Sequence, residues 1–132
     1  MLRIVLAFSL AFAMWLPARA QTDTIKGVIS SQIEAFQTDD LGRAFSFASP
    51  AIKGMFGNPE RFGQMVERGY PMVWRPANVQ FGPLKYVSER IIQIVFFTDQ
   101  GGNVFEASYE MIETENGWQI NGVSLKEAGL GA

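Results

Sequence analysis

The chain changes its hydrophobic period once, around Gly69-Tyr70-Pro71, and that switch limits the folds open to it. Before the switch, apolar residues recur at helical spacing. Ile25, Val28, Ile29, Ile33 and Phe36 predict an amphipathic helix over Thr24 to Gln37. Asp39-Asp40 breaks that pattern and can cap a second helix, whose stripe of Leu41, Ala44, Phe45 and Ala48 ends before Pro50. Ile52, Met55 and Phe56 give a third short helical turn. Asn58 and Pro59 read as N-cap and first residue of a fourth helix, with Phe62, Met65 and Val66 inward and Gly69 at its stop.

After the switch the pattern is extended. Ile91 to Thr98 is a run of β-branched and aromatic residues interrupted only by Gln93, as in a central strand covered on both faces. Val79 to Val87 precedes it as a strand made irregular by Gly82-Pro83, and a proline there favours an edge or a bulge. Phe105, Ala107, Tyr109 and Met111 alternate with polar residues in the next strand, following a turn at Asp99 to Asn103. Asn116-Gly117 signals a type I′ hairpin into the last strand, with Trp118, Ile120, Val123 and Leu125 inward and a bend or bulge at Asn121-Gly122. Helices followed by a meander of strands make an α+β domain: N-terminal helices packed on one face of a strongly curved antiparallel sheet.

Length and composition set the number of domains. With 132 residues, 48% of them hydrophobic, there is room for one core. Residues 1–20 read as a secretory signal peptide: Arg3 is the positive n-region, Ile4 to Leu16 the apolar h-region, and Ala18-Arg19-Ala20 the small-x-small cleavage site. Residues 21–132 then form the single domain. The apolar run is shorter than the roughly 20 residues of a bilayer span, so export to the periplasm or medium is expected, with no stable membrane insertion after cleavage. Removing Arg3 and Arg19 from the 11 basic residues leaves 9 against 13 acidic ones, a formal charge of −4. That balance argues against nucleic acid as a partner.

Histidine and cysteine are both absent. Serine and cysteine nucleophile systems built on an imidazole are therefore excluded, as are zinc sites of the usual kinds and any disulfide. No cofactor is expected. Carboxylate, tyrosine, lysine and arginine chemistry remains, and it needs burial or neighbours to shift a pKa. Asp39 and Asp40 can be a general acid and base pair or helix caps. Arg90 and Glu106 can face each other across the sheet. The aromatic residues Phe81, Phe96, Phe97, Phe105 and Trp118 read as core.

The order of elements resembles the nuclear transport factor 2-like superfamily, also called cystatin-like, through its long first helix, Asp39-Asp40-Leu41-Gly42-Arg43-Ala44-Phe45, and the closing strand from Asn116-Gly117-Trp118-Gln119-Ile120. Within it, Phe56-Gly57-Asn58-Pro59 and Gly69-Tyr70-Pro71-Met72-Val73-Trp74-Arg75-Pro76 resemble the bacterial family labelled domain of unknown function 4864, with similarity over residues 24 to 126. The resemblance implies a cone-shaped fold with a mostly apolar cavity suited to a small ligand. Superfamily members include ketosteroid isomerase, limonene epoxide hydrolase and scytalone dehydratase, alongside many that only bind or dimerise. No catalytic residue carries over. The positions where the isomerases place their base hold Ile52, Lys53, Met55 and Phe56 here, and the dehydratase histidine is missing.

Three readings follow. The first is a non-catalytic module binding a small apolar or amphipathic ligand. Its candidate contacts are Tyr70, Trp74, Arg75 and Tyr109, the arginine suited to a carboxylate or phosphate. Tyr70 to Pro76 reads equally as a rigid joint in which the rings plug one end of the cone and Arg75 pairs with a nearby glutamate. The second is an interaction or homodimerisation module of the cell envelope, using Ile92, Ile94 and Val104 on the outer sheet face. The third is an isomerase or hydratase pairing Tyr70, Tyr86 or Tyr109 with a cavity carboxylate.

Overall fold

A computed structural model describes residues Ala18 to Ala128. Its helices are α1 (Ala18–Gln37), α2 (Leu41–Ser46), α3 (Pro50–Phe56), α4 (Pro59–Gly69) and α5 (Pro71–Trp74). The strands follow without interruption as β1 (Asn78–Val87), β2 (Arg90–Thr98), β3 (Val104–Thr114) and β4 (Gly117–Glu127). All pairings are antiparallel and the order is β1-β2-β3-β4. The architecture is α+β, with helices followed by a four-stranded antiparallel sheet.

Three of the five helix starts rest on side chains that replace missing backbone partners. The Asp40 carboxylate accepts from Arg43 N, the Ser49 hydroxyl from Ile52 N, and the Asn58 amide oxygen from Arg61 N. Pro50, Pro59 and Pro71 each open a helix, where a fixed φ helps and no N–H is needed. Asp40 is thus a cap. Helix α1 begins earlier than the hydrophobic spacing predicts, at Ala18 rather than Thr24, because Ala18, Arg19, Ala20 and Gln21 are helix-compatible without contributing to the apolar stripe. Residues 1–17, with the n-region and h-region, lie outside the described residues.

One cluster forms the core. Ile25, Ile29, Ile33 and Phe36 of α1 join Val95, Phe97, Ala107, Tyr109 and Met111 of the two inner strands. Ile92 to Val95 are buried in succession, as a central strand requires. Ile92 and Ile94, expected on an exposed outer face, are therefore largely out of solvent. Phe62 is the hub of an aromatic group, with ring centroids 5.9 Å from Phe36, 5.4 Å from Phe45 and 5.7 Å from Phe56. Such pairs contribute about 0.5–1.5 kcal/mol each beyond area burial.

Two bulges shape the sheet. Gly82-Pro83 stands opposite Ile94 in the edge strand β1, and Asn121 is the extra residue of β4 between Ile120 and Gly122. Each bends its strand and raises the local twist. At Gly82 an added Cβ would lie 2.9 Å from Phe96 Cε2, so glycine admits the close approach of the two strands. The open edge of β4 is partly covered: Ile120 N donates to Phe47 O and Ser49 N donates to Ile120 O, both at 2.9 Å. That short parallel bridge ties the α2–α3 connection to the sheet.

Three local expectations need correction. The extended pattern expected after Pro71 begins only at Asn78, because Pro71, with its fixed φ, opens the short helix α5. Neither Glu115 nor Asn116 has positive φ, whereas Gly117 has φ +91°. The β3–β4 hairpin is therefore a turn followed by a left-handed glycine, not a type I′ turn, which needs positive φ at both central residues. Arg90 pairs with Glu110 at 2.9 Å, and Glu106 is 3.9 Å from Lys126. The register places Phe96, not Arg90, opposite Glu106.

Candidate functional site

Helices α3, α4 and α5 do not close completely on β3 and β4. Between them lies a cavity of about 360 Å³, at the small end of the roughly 300–1,000 Å³ usual for ligand pockets. Ile52, Met55 and Phe56 come from α3, Phe62, Met65 and Val66 from α4, and Val73 from α5. Tyr109, Ile120 and Val123 form the sheet side. Met55 is 71% exposed, so the lining reaches solvent there.

The helical period explains this wall. In α4, Phe62, Met65 and Val66 share one face and turn it to the cavity. Ser49 fixes the rim from below. Its hydroxyl donates to Asn121 Oδ1 at 2.7 Å while accepting from Ile52 N, so the start of α3 is tied to the bulge.

Three polar side chains line the cavity: Gln32, Tyr70 and Tyr109. Gln32 Nε2 donates to Ala44 O at 3.0 Å. The Tyr70 hydroxyl donates to Val123 O at 3.4 Å, a long and weak bond. The Tyr109 hydroxyl is buried and has no partner. Burial, and secondly the neighbouring Tyr70, push the Tyr109 phenol well above its ordinary value, so it is protonated and a donor at neutral pH. No Asp, Glu, Lys or Arg of the described residues lines the cavity.

Of the four candidate contacts, Tyr70 and Tyr109 line the cavity, while Trp74 and Arg75 stand outside its lining. Trp74 packs on Phe36 with ring centroids 5.5 Å apart. The Arg75 guanidinium lies 4.8 Å from the Trp74 ring centroid and donates through Nη1 to Phe36 O (2.7 Å) and Trp74 O (2.9 Å). Its Nη2 donates to Asp39 Oδ1 at 2.8 Å. Arg75 thus caps the C-terminal end of α1, and its ion partner is Asp39 rather than a glutamate. Asp39 is held at φ +57° in the tight link between α1 and α2. Tyr86 is 64% exposed on the edge strand and does not reach the cavity.

The sequence reading missed Gln32, Ile52, Met65, Ile120 and Val123 as cavity residues. Each lies on an apolar or helical face that reads as core, and periodicity cannot distinguish a side chain packed on a neighbour from one facing a void. Among the described residues, no group of three or more acidic side chains is placed to hold a metal ion.

No curated protein and no solved structure matches the chain. The family model described as Domain of unknown function (DUF4864) matches residues 18–130, from the start of α1 past the end of β4, and the chain belongs to that family.

Proposed function

We propose that this chain is an exported, non-catalytic module that holds a small apolar molecule in the cavity between its helices and sheet. The observation that carries this reading is the cavity lining: apolar nearly throughout, open to solvent at Met55, and furnished with two phenols. Apolar pockets with a few convergent polar groups are the usual form of small-ligand sites. The resemblance to the nuclear transport factor 2-like superfamily points the same way, since its cone-shaped fold encloses such cavities. Export rests on Arg3, the apolar run from Ile4 to Leu16 and Ala18-Arg19-Ala20.

Isomerase or hydratase chemistry needs a carboxylate base facing the tyrosine across the pocket. With no acid in the lining of the described residues, a ligand there would meet a donor and no base. A homodimer through the outer sheet face has less support: Ile92 and Ile94 are already buried, and Glu106 and Glu110 add charge to the same face.

Native mass spectrometry of the full-length gene product, recovered from an expressing bacterial cell, tests the reading. The expected result is a chain beginning near Gln21 that carries, or reversibly takes up, a neutral apolar molecule of a few hundred daltons. A mature protein that neither retains such a molecule nor binds the neutral dye N-phenylnaphthylamine would overturn it.

A further inference from the structure

A buried polar atom without a partner is uncommon, because its desolvation is uncompensated. Two side-chain atoms of the described residues are in that position, Gln93 Oε1 and the Tyr109 hydroxyl. They belong to residues directly opposite each other in the β2–β3 register. Gln93 is held elsewhere: its Nε2 donates to Gly82 O at 2.8 Å and Ile94 O at 2.9 Å, under the bulge of β1, and it does not line the cavity. Tyr109 does line it, and is 1% exposed. Of the two, only Tyr109 borders the cavity, and its hydroxyl is itself shielded from solvent.

The identity of the surroundings limits what can satisfy that phenol. A carboxylate or phosphate ligand would leave water for a lining with no lysine or arginine, so its charge would be desolvated without compensation. A pure hydrocarbon would fill the cavity but leave the hydroxyl unmet. An uncharged molecule with one acceptor oxygen does both. Tyr70 lines the same cavity, and its own bond to Val123 O is weak at 3.4 Å, so it is a second phenol with a donor to spare.

We propose that the ligand is an uncharged apolar molecule bearing a carbonyl or hydroxyl oxygen, and that this oxygen accepts a hydrogen bond from the Tyr109 hydroxyl at the sheet wall of the cavity. This rests on the binding reading and specifies the class of ligand. Tyr109 is then the residue that sets specificity. It contributes discrimination rather than bulk affinity, because Phe at the same place would keep the apolar contact and lose only the donor.

The test is competition against N-phenylnaphthylamine by three ten-carbon probes, methyl octyl ketone, decane and decanoate, on the mature protein and on Tyr109→Phe. A neutral hydrogen bond predicts that the ratio of ketone to decane displacement is about three- to tenfold higher on the wild type than on Tyr109→Phe. Decanoate should be the weakest at neutral pH. In Tyr109→Phe the ketone should displace the dye less well than decane, because its carbonyl oxygen is then buried without a donor. Equal displacement by ketone and decane on both proteins would overturn the donor role while leaving the apolar cavity reading intact. Preference for decanoate would overturn the claim that the ligand is uncharged. Failure of the wild type to bind dye or any probe would remove the binding reading itself. Thermal unfolding of both proteins separates a lost contact from a lost fold, and the loss of an unpartnered hydroxyl predicts a Tm for Tyr109→Phe no lower than the wild type's.

Discussion

Replacing Arg75 by alanine should destabilise the fold while leaving apolar ligand binding intact. The guanidinium donates to Phe36 O and Trp74 O, carbonyls in the last turns of α1 and α5; Phe36 O also accepts from Asp39 N at 3.1 Å, so the arginine adds a second donor there and is the donor to Trp74 O. Hydrogen bonds from a charged donor contribute about 1.5–3 kcal/mol each when well shielded. The side chain is 40% exposed, which weakens them. Contact with the Trp74 face adds about 0.5–1 kcal/mol, and the Asp39 pair, whose carboxylate is 69% exposed, adds no more than about 1 kcal/mol. A loss of about 2–4 kcal/mol is expected for Arg75→Ala, and below about 1 kcal/mol for Asp39→Asn, which removes the charge and still tolerates the positive φ at that position. Arg75→Lys should fall between them, since one ammonium cannot reproduce the planar fork that reaches two carbonyls and a carboxylate. Urea unfolding followed by tryptophan fluorescence gives all three values. If Arg75→Ala loses no more than Asp39→Asn, the arginine is only a surface ion pair and the capping argument is wrong.

Other outcomes follow from single contacts. Ser49→Ala should cost about 1–2 kcal/mol, since it removes the N-cap of α3 and leaves Asn121 Oδ1 without its donor; urea midpoints of the variant and of Asn121→Ala, which should couple to it, check this. Gly82→Ala should cost about 1–3 kcal/mol because the new methyl meets Phe96 and Ile94 across a packed pair of strands, and differential scanning calorimetry should show a lower Tm. Tyr109 predicts an alkaline limit. Burial holds its folded-state pKa above the ordinary tyrosine value of about 10, so the unfolded chain releases this proton first, and stability is full below about pH 10 and declines above it. The decline approaches about 1.4 kcal/mol per pH unit, and unfolding curves of Tyr109→Phe should lack that component.

The order of elements other than α5 was legible from periodicity, because helical spacing up to Gly69 and near-continuous apolar character in Ile91 to Thr98 each admit one reading, whereas the single turn Pro71–Trp74 is too short to show a period. Caps were legible too: Asp40, Asn58 and Pro59 stand where their side chains or fixed φ serve a helix start. The bulges at Gly82-Pro83 and at Asn121 were visible as glycine or proline interrupting a strand. Pairings between strands were not. Arg90 meets Glu110 because two hairpins of particular loop length set the register, and no property of Arg90 alone announces it. The site was half legible: Tyr70 and Tyr109 stood out as phenols on otherwise apolar elements, while Arg75 drew notice for its charge and serves the backbone instead. Helix residues such as Met65 and Ile52 gave no signal, since a cavity is a failure of packing among several elements at once.

The most direct measurement of the cavity's role is a binding isotherm of a neutral apolar dye on the wild type and on Val123→Trp, whose indole would project from the sheet wall into the cavity beside Tyr70. Circular dichroism establishes that the variant is folded. Saturable binding by the wild type and its loss in folded Val123→Trp is the predicted result. Undiminished binding in the filled variant, or none in the wild type, would show that the cavity is not where this protein holds a ligand.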